Sequence, residues 1–281
     1  MEKYYFVGNA SDDGCAIKVR STDNLYNYVN REGNLISKEW FIECNRFING
    51  IAPVRRKYNE CNYLKENGEF LFDKWYAHCS EFDKEGFGVI SEKLIINGEH
   101  IINHYAVNTN GEILNKIPFL YIRGFQNGFS VVTGFNRKYN IINTKGEIVL
   151  PNWYQNIYIY DNGLASVQHQ NKINFIDLKQ ENFPFVSNQW YDWSSVSFNF
   201  NRMCVGIEGK DGYMFNYINE YGEIISPNLW FNDCDKHFVK EDYQKYPLVE
   251  VRLIHMGGIK YNLMDINGNI VCKAWLEHRI F

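Results

Sequence analysis

At 281 residues and 45% hydrophobic content the chain is long enough to bury a sizeable core, and no linker rich in Pro, Gly or Ser divides it. A formal net charge of −4 argues against a protein whose whole surface grips nucleic acid and leaves room for a local basic edge. No stretch has signal-peptide or membrane-spanning character, and seven cysteines without C-x-x-C spacing fit a reducing compartment better than a disulfide framework, so a soluble cytoplasmic protein is expected.

In chain order the predicted elements are short strands and tight turns. The first module opens on Gly14–Val19, continues with Tyr26–Asn30, and turns at Gly33 seven residues before Trp40. The second repeats this with Gly50–Val54, Cys61–Leu64, Gly68 and Trp75. In the third, Gly86–Ile90 leads to Gly111, and Phe119 stands near the tryptophan position. The fourth runs Gly128–Val132, Tyr139–Asn143, Gly146, a predicted third strand Glu147–Leu150, Pro151 and Trp153. The fifth, Gly163–Val167 and Ile173–Asp177, has Gln180 at the turn. The last two centre on Met203–Ile207 with Phe215–Asn219 and Gly222, then Leu248–Val251 with Tyr261–Asp265 and Gly268. Each turn glycine can take positive φ without a Cβ clash.

The turns recur every 34 to 46 residues, the mark of a repeat array. Two or three strands cannot bury a face alone, so each module must stack on its neighbours. The expectation is an all-β, single domain over residues 1–281: seven short hairpin or three-stranded units in an open β-solenoid. A seven-bladed β-propeller is the alternative, although 34- and 35-residue units are short for four-stranded blades.

The module resembles the WG repeat family of bacterial β-repeat proteins, whose pattern runs from a Gly-x-Ala-x-Val strand through Trp-Gly-Tyr-Ile-Asp to a turn glycine. Here the Trp-Gly pair is replaced by Tyr26-Asn27, Tyr139-Asn140, Phe215-Asn216 and Tyr261-Asn262, which marks a divergent branch. The resemblance covers about residues 14–281 and implies a non-catalytic interaction module.

Little in the chain points to chemistry. His78-Cys79 and Asp233-Cys234 with His237 could hint at a metal, but Cys44, Cys79 and Cys234 each follow a tryptophan by four residues. Ile157 and Ser194 hold that same place, so it reads as a packing position. Ser130 lacks the second glycine of a nucleophile elbow. The periodic Glu69, Glu112, Glu147 and Glu223 read as a solvated edge. No enzyme, metal or cofactor is predicted.

Charge placement carries the binding expectation. Arg55-Arg56-Lys57, Arg137-Lys138, Lys172 and Lys210 fall on the loops between the two principal strands, and stacking would gather them along one edge. Longer inserts at Glu92–His100, Asn199–Gly212 and Lys236–Tyr246 add aromatic anchors, Tyr243 and Tyr246. The sequence therefore predicts a scaffold, accessory subunit or protein inhibitor that binds a protein. Nucleic acid on the basic edge is the alternative, and neither a membrane nor a small-molecule substrate is expected.

Overall fold

Among the described residues of the computed structural model, every strand belongs to one of seven three-stranded antiparallel sheets, each with its strands in chain order. The structure describes residues 4–11, 14–96, 98–241, 246–255 and 258–280. Among these there is no helix, and hence none long and apolar enough to cross a membrane. All-β architecture and seven-fold repetition agree with the sequence reading.

The chain falls into two compact units. The first, Met1–Trp153, holds four sheets. They are β1 (Tyr4–Asn9), β2 (Ile17–Ser21) and β3 (Tyr26–Val29), then β4 (Glu43–Cys44), β5 (Ile51–Lys57) and β6 (Glu60–Lys65). The third sheet is β7 (His78–Cys79), β8 (Phe87–Ile96) and β9 (Glu99–Asn108), and the fourth β10 (Tyr121–Ile122), β11 (Phe129–Thr133) and β12 (Tyr139–Asn143).

The second unit, Tyr154–Phe281, holds three. The fifth sheet is β13 (Asn156–Ile159), β14 (Leu164–His169) and β15 (Lys172–Asp177). The sixth is β16 (Trp193–Ser194), β17 (Arg202–Gly209) and β18 (Gly212–Asn219), and the seventh β19 (Asp233–Cys234), β20 (Leu248–His255) and β21 (Gly258–Asp265).

The third strand of each sheet differs from the predicted one. Glu147–Leu150 forms no strand; it touches β12 through the single bridge Ile142–Ile148, as Leu35 touches Val29 and Phe70 touches Leu64. From the second sheet on, the outer strand comes instead from the segment after the tryptophan of the preceding module (after Phe119 for the fourth sheet). Glu43-Cys44, past Trp40, thus pairs with Arg55 and Val54, whereas the first sheet takes β1. Cys44, Cys79 and Cys234, predicted as packing residues, sit on these outer strands and are buried. Burial pushes the Cys44 thiol up to about 12 and raises Cys79 as well, so neither is a nucleophile at neutral pH.

A buried asparagine explains why the segment after the turn leaves the ladder. Asn62 Oδ1 accepts the Tyr63 N–H at 2.8 Å and the Phe72 N–H at 3.3 Å. Its Nδ2 donates to the Phe72 and Lys74 carbonyls at 2.7 and 3.2 Å. Asn27, Asn140, Asn174, Asn216 and Asn262 make the corresponding bonds in their own modules. The carboxamide satisfies backbone groups that an incomplete third strand would otherwise leave orphaned.

The turn glycines do more than supply positive φ. A Cβ on Gly68 would strike the Ile36 carbonyl, and one on Gly146 the Leu114 backbone, each belonging to the module before. The fifth turn, lacking glycine at Gln180, instead places Asn182 and Phe183 at φ of 65° and 49°. Turn carboxylates are held locally: Asn143 Oδ1 accepts the Glu147 N–H at 3.0 Å while its Nδ2 donates to Glu147 Oε2 at 2.9 Å.

Each core cluster is drawn from two successive sheets. Tyr28 with Cys44, Phe47 and Val54 joins the first to the second; Tyr63 with Cys79, Phe82 and Ile90 joins the second to the third. In the second unit Phe175 with Tyr191 and Val205, then Tyr217 with Phe238 and Val251, do the same. A fully buried side chain of this size contributes about 1.5–3 kcal/mol. The Tyr63 hydroxyl also donates to the Val89 carbonyl at 3.4 Å, so its polar end is satisfied in the next sheet. Glu250, fully buried, accepts from Ile280 N at 2.8 Å and Arg279 Nε at 3.1 Å and so pins the tail to the seventh sheet.

Candidate functional site

The nine residues expected to bind divide into three groups. Lys57, Arg137, Lys138, Lys172 and Lys210 lie where the second and third strands of their sheets meet, all exposed and all at the same end of the module. Arg55 and Arg56 do not stand free beside them. Arg55 Nε bonds Glu43 Oε2 at 2.9 Å, its Nη1 reaches the Ala77 carbonyl at 3.3 Å, and its Nη2 lies 3.3 Å from His78 Nδ1. It thereby ties β5 to the outer strand of the following sheet.

Arg56 Nε bonds Glu60 at 2.5 Å, and its guanidinium lies over the Trp75 ring at 4.1 Å. Lys172 meets Asp192 at 2.8 Å; that contact and the Glu208 N–H hold the Asp192 carboxyl below the usual range. Tyr246 is partly exposed beside β20, and Tyr243 lies outside the described residues.

Two of the three predicted inserts are strand extensions. Glu92–His100 is the outer part of a hairpin whose strands run ten residues each, paired out to Ile96 and Glu99. Its far portion exposes Leu94, Ile95 (67%) and Ile102 (46%). Asn199–Gly212 holds the extended β17, opposite which Tyr213 is exposed. The β20–β21 hairpin extends similarly and exposes the paired Ile254 and Ile259, an extension that sequence reasoning missed. The signal lay in the apolar runs Leu94-Ile95-Ile96 and Leu253-Ile254, which overrun the usual strand length. In the third insert Phe238 is buried and Val239 bridges Leu248, so this part packs rather than projects.

Grooves between successive sheets form a second set of features. Within the first unit, a groove of about 270 Å³ between the third and fourth sheets is lined by His78, Glu81, Asp83, His104, Tyr121 and Arg123, among others. Its polar groups are largely committed. Asp83 accepts the Phe87 N–H at 3.0 Å and, across to the next sheet, the Phe125 N–H at 2.7 Å. His104 Nδ1 lies 2.9 Å from Ser91 Oγ, whose residue is buried and out of reach of a substrate.

Burial lowers the pKa of both histidines, aided at His78 by Arg55 and at His104 by His78. Both imidazoles are therefore neutral at pH 7. Among the described residues no group of three His, Cys, Asp or Glu side chains could hold a metal ion. In the second unit the equivalent groove, of about 410 Å³, lies between the fifth and sixth sheets, and the described residues lining it carry no charge. Asn156 occupies in it the register of His78, each three residues past a tryptophan.

No family model matches the chain, and no curated protein does. Among solved structures it is similar to BamB from Moraxella catarrhalis, at 10% identity over 92% of this chain and 84% of that one, with a TM-score of 0.32. A eukaryotic initiation factor is 12% identical over 98% and 78% of the two chains, with a TM-score of 0.42. A functionally unknown protein from Desulfotomaculum acetoxidans is 14% identical over 94% and 92%, with a TM-score of 0.33. Likeness at this level carries no argument about what the chain does.

Proposed function

We propose that this chain is a non-catalytic β-repeat interaction module, a divergent relative of the WG repeat family, that binds a protein partner in the cytoplasm as scaffold, accessory subunit or inhibitor. The observation that carries this reading is the extended β8–β9 hairpin. Leu94, Ile95 and Ile102 are exposed on its outer part, flanked by the exposed Lys93, Glu99 and His100. Ile95 and Ile102 lie diagonally on one face of the hairpin together with Lys93 and His100, while Leu94 is on the other face, and apolar side chains with polar neighbours are the usual make-up of a protein interface.

The basic hairpin ends at Lys57, Arg137, Lys138 and Lys210 would steer an acidic partner. A nucleic-acid partner is the weaker reading, because Arg55, Arg56 and Lys172 already face carboxylates.

The test is affinity capture from the native cell with the wild type and a Leu94→Ser/Ile95→Ser/Ile102→Ser variant, each with and without nuclease and at low and moderate salt. A protein retained by the wild type through nuclease and salt, but lost by the variant, is the expected result. Equal retention by the variant refutes the hairpin as the contact. Loss of every partner to nuclease transfers the function to the basic hairpin ends.

A further inference from the structure

The uncharged groove of the second unit has a chemistry of its own. None of the described residues lining it is acidic, basic or histidine, whereas the equivalent groove of the first unit carries His78, Glu81, Asp83 and Arg123. A charged ligand would lose hydration here and meet no counter-charge. A small neutral molecule would fit: about 410 Å³ lies within the range of roughly 300–1,000 Å³ usual for small-ligand pockets.

Its lining offers one aromatic platform and several unspent polar groups. Tyr158 is 52% exposed, its ring set against Tyr160 at 4.9 Å. Tyr160 is itself buried and fixed by donating its hydroxyl to Ser166 Oγ at 3.1 Å. Ser195 Oγ is spent on the Ser197 carbonyl and on the Met203 sulfur. In contrast, the side chains of Gln168, Ser194 and Ser197 and the Tyr158 hydroxyl make no hydrogen bond among the described residues. Serine hydroxyls and the glutamine amide both donate and accept, so they can meet a ring of hydroxyl groups whichever way each one points.

We propose that this groove binds an uncharged pyranose sugar, its C–H face against Tyr158 and its hydroxyls on Gln168, Ser194 and Ser197. A pyranose combines these two surfaces, an apolar face and a neutral polar rim. An uncharged peptide fits less well. Strand addition needs a free sheet edge of some length, and β16, the outer strand at this groove, is two residues long.

The whole chain would be titrated with neutral monosaccharides and their linked oligomers, with glucuronate as the charged control and a Ser-Gly tetrapeptide as the competing class. Saturation-transfer NMR reads binding. The variants are Tyr158→Ser, Ser194→Ala/Ser197→Ala, and Tyr121→Ser in the other groove, each checked for folding by circular dichroism. Tyr158 and Tyr121 are both more than half exposed, so neither change empties the core.

At least one neutral saccharide binds with a Kd on the order of 1 mM, a weak single-site affinity, and loses about tenfold or more with Tyr158→Ser and with the double serine variant but nothing with Tyr121→Ser. The proposal is overturned if no neutral saccharide saturates below about 10 mM. It also fails if glucuronate or the tetrapeptide binds as well as the best neutral sugar, or if Tyr158→Ser keeps full affinity.

Discussion

Asn115 Oδ1 accepts the Ala106 N–H at 2.7 Å from nine residues downstream, and so performs from the loop the task that Asn62 performs from its own strand. In the third module Tyr105 occupies the strand position that holds asparagine in the other six. The carboxamide has moved to the opposite partner: Asn115 Nδ2 donates to the Ile117 carbonyl at 2.8 Å and to His104 at 3.4 Å. The two modules differ in sequence at the clip and agree in what the clip does.

Asn115→Ala and Asn62→Ala are accordingly expected to be equally damaging. Each leaves buried backbone groups without a partner, at a cost of about 2–3 kcal/mol. Urea unfolding monitored by tryptophan fluorescence measures both. A loss at Asn115 much smaller than at Asn62 would deny that the two are equivalent.

The turn glycines should split into two classes. Gly33 has φ of 82° with open space around its missing Cβ, so Gly33→Ala costs only backbone strain, about 1–2 kcal/mol. Gly146, at φ of 75°, would in addition drive its Cβ into the Leu114 backbone. Gly146→Ala therefore destabilises clearly more than Gly33→Ala in the same unfolding assay, and equal costs would show that the modules have slack between them.

Arg55 and Lys57 lie two positions apart and should respond differently. Arg55→Ala removes the bond to the half-exposed Glu43 and the reach to Ala77, for a loss of about 1–2 kcal/mol. Lys57→Ala changes stability by no more than about 0.5 kcal/mol, as does Arg137→Ala. Comparing the thermal midpoints of the three variants separates structural arginines from docking cations.

The two neutral histidines make stability depend on pH. Their folded pKa values lie below the usual 6.5, chiefly through burial, so the unfolded chain binds protons that the folded chain resists. Stability from this source is complete above pH 6.5 and declines as pH falls toward the folded values. Unfolding free energies at pH 7.5 and pH 5 should fall less for His78→Gln/His104→Gln than for the wild type. An identical decline would assign the acid sensitivity to the carboxylates.

The strand pairs β11–β12 and β14–β15 and the turns at Gly33, Gly68 and Gly146 were legible because their causes are local: short runs rich in β-branched and aromatic residues, and positive φ at a residue without Cβ. The periodic asparagines were visible as a recurring pair with an aromatic or apolar residue, yet their role needs the positions of carbonyls ten and twelve residues away. Arg55 looked like a free cation since its partner Glu43 sits on another strand, brought near only by pairing.

The sequence by itself determined the all-β class, the number of modules and the hairpin within each, since near neighbours settle all of these. Only the tertiary structure decided which segment completes each sheet, which cations remain exposed and what lines each groove. Those features arise where residues of different modules meet. A two-residue outer strand such as Glu43-Cys44 has too little pattern of its own to declare its partner; its place is set by the core that Cys44 shares with Tyr28 and Val54.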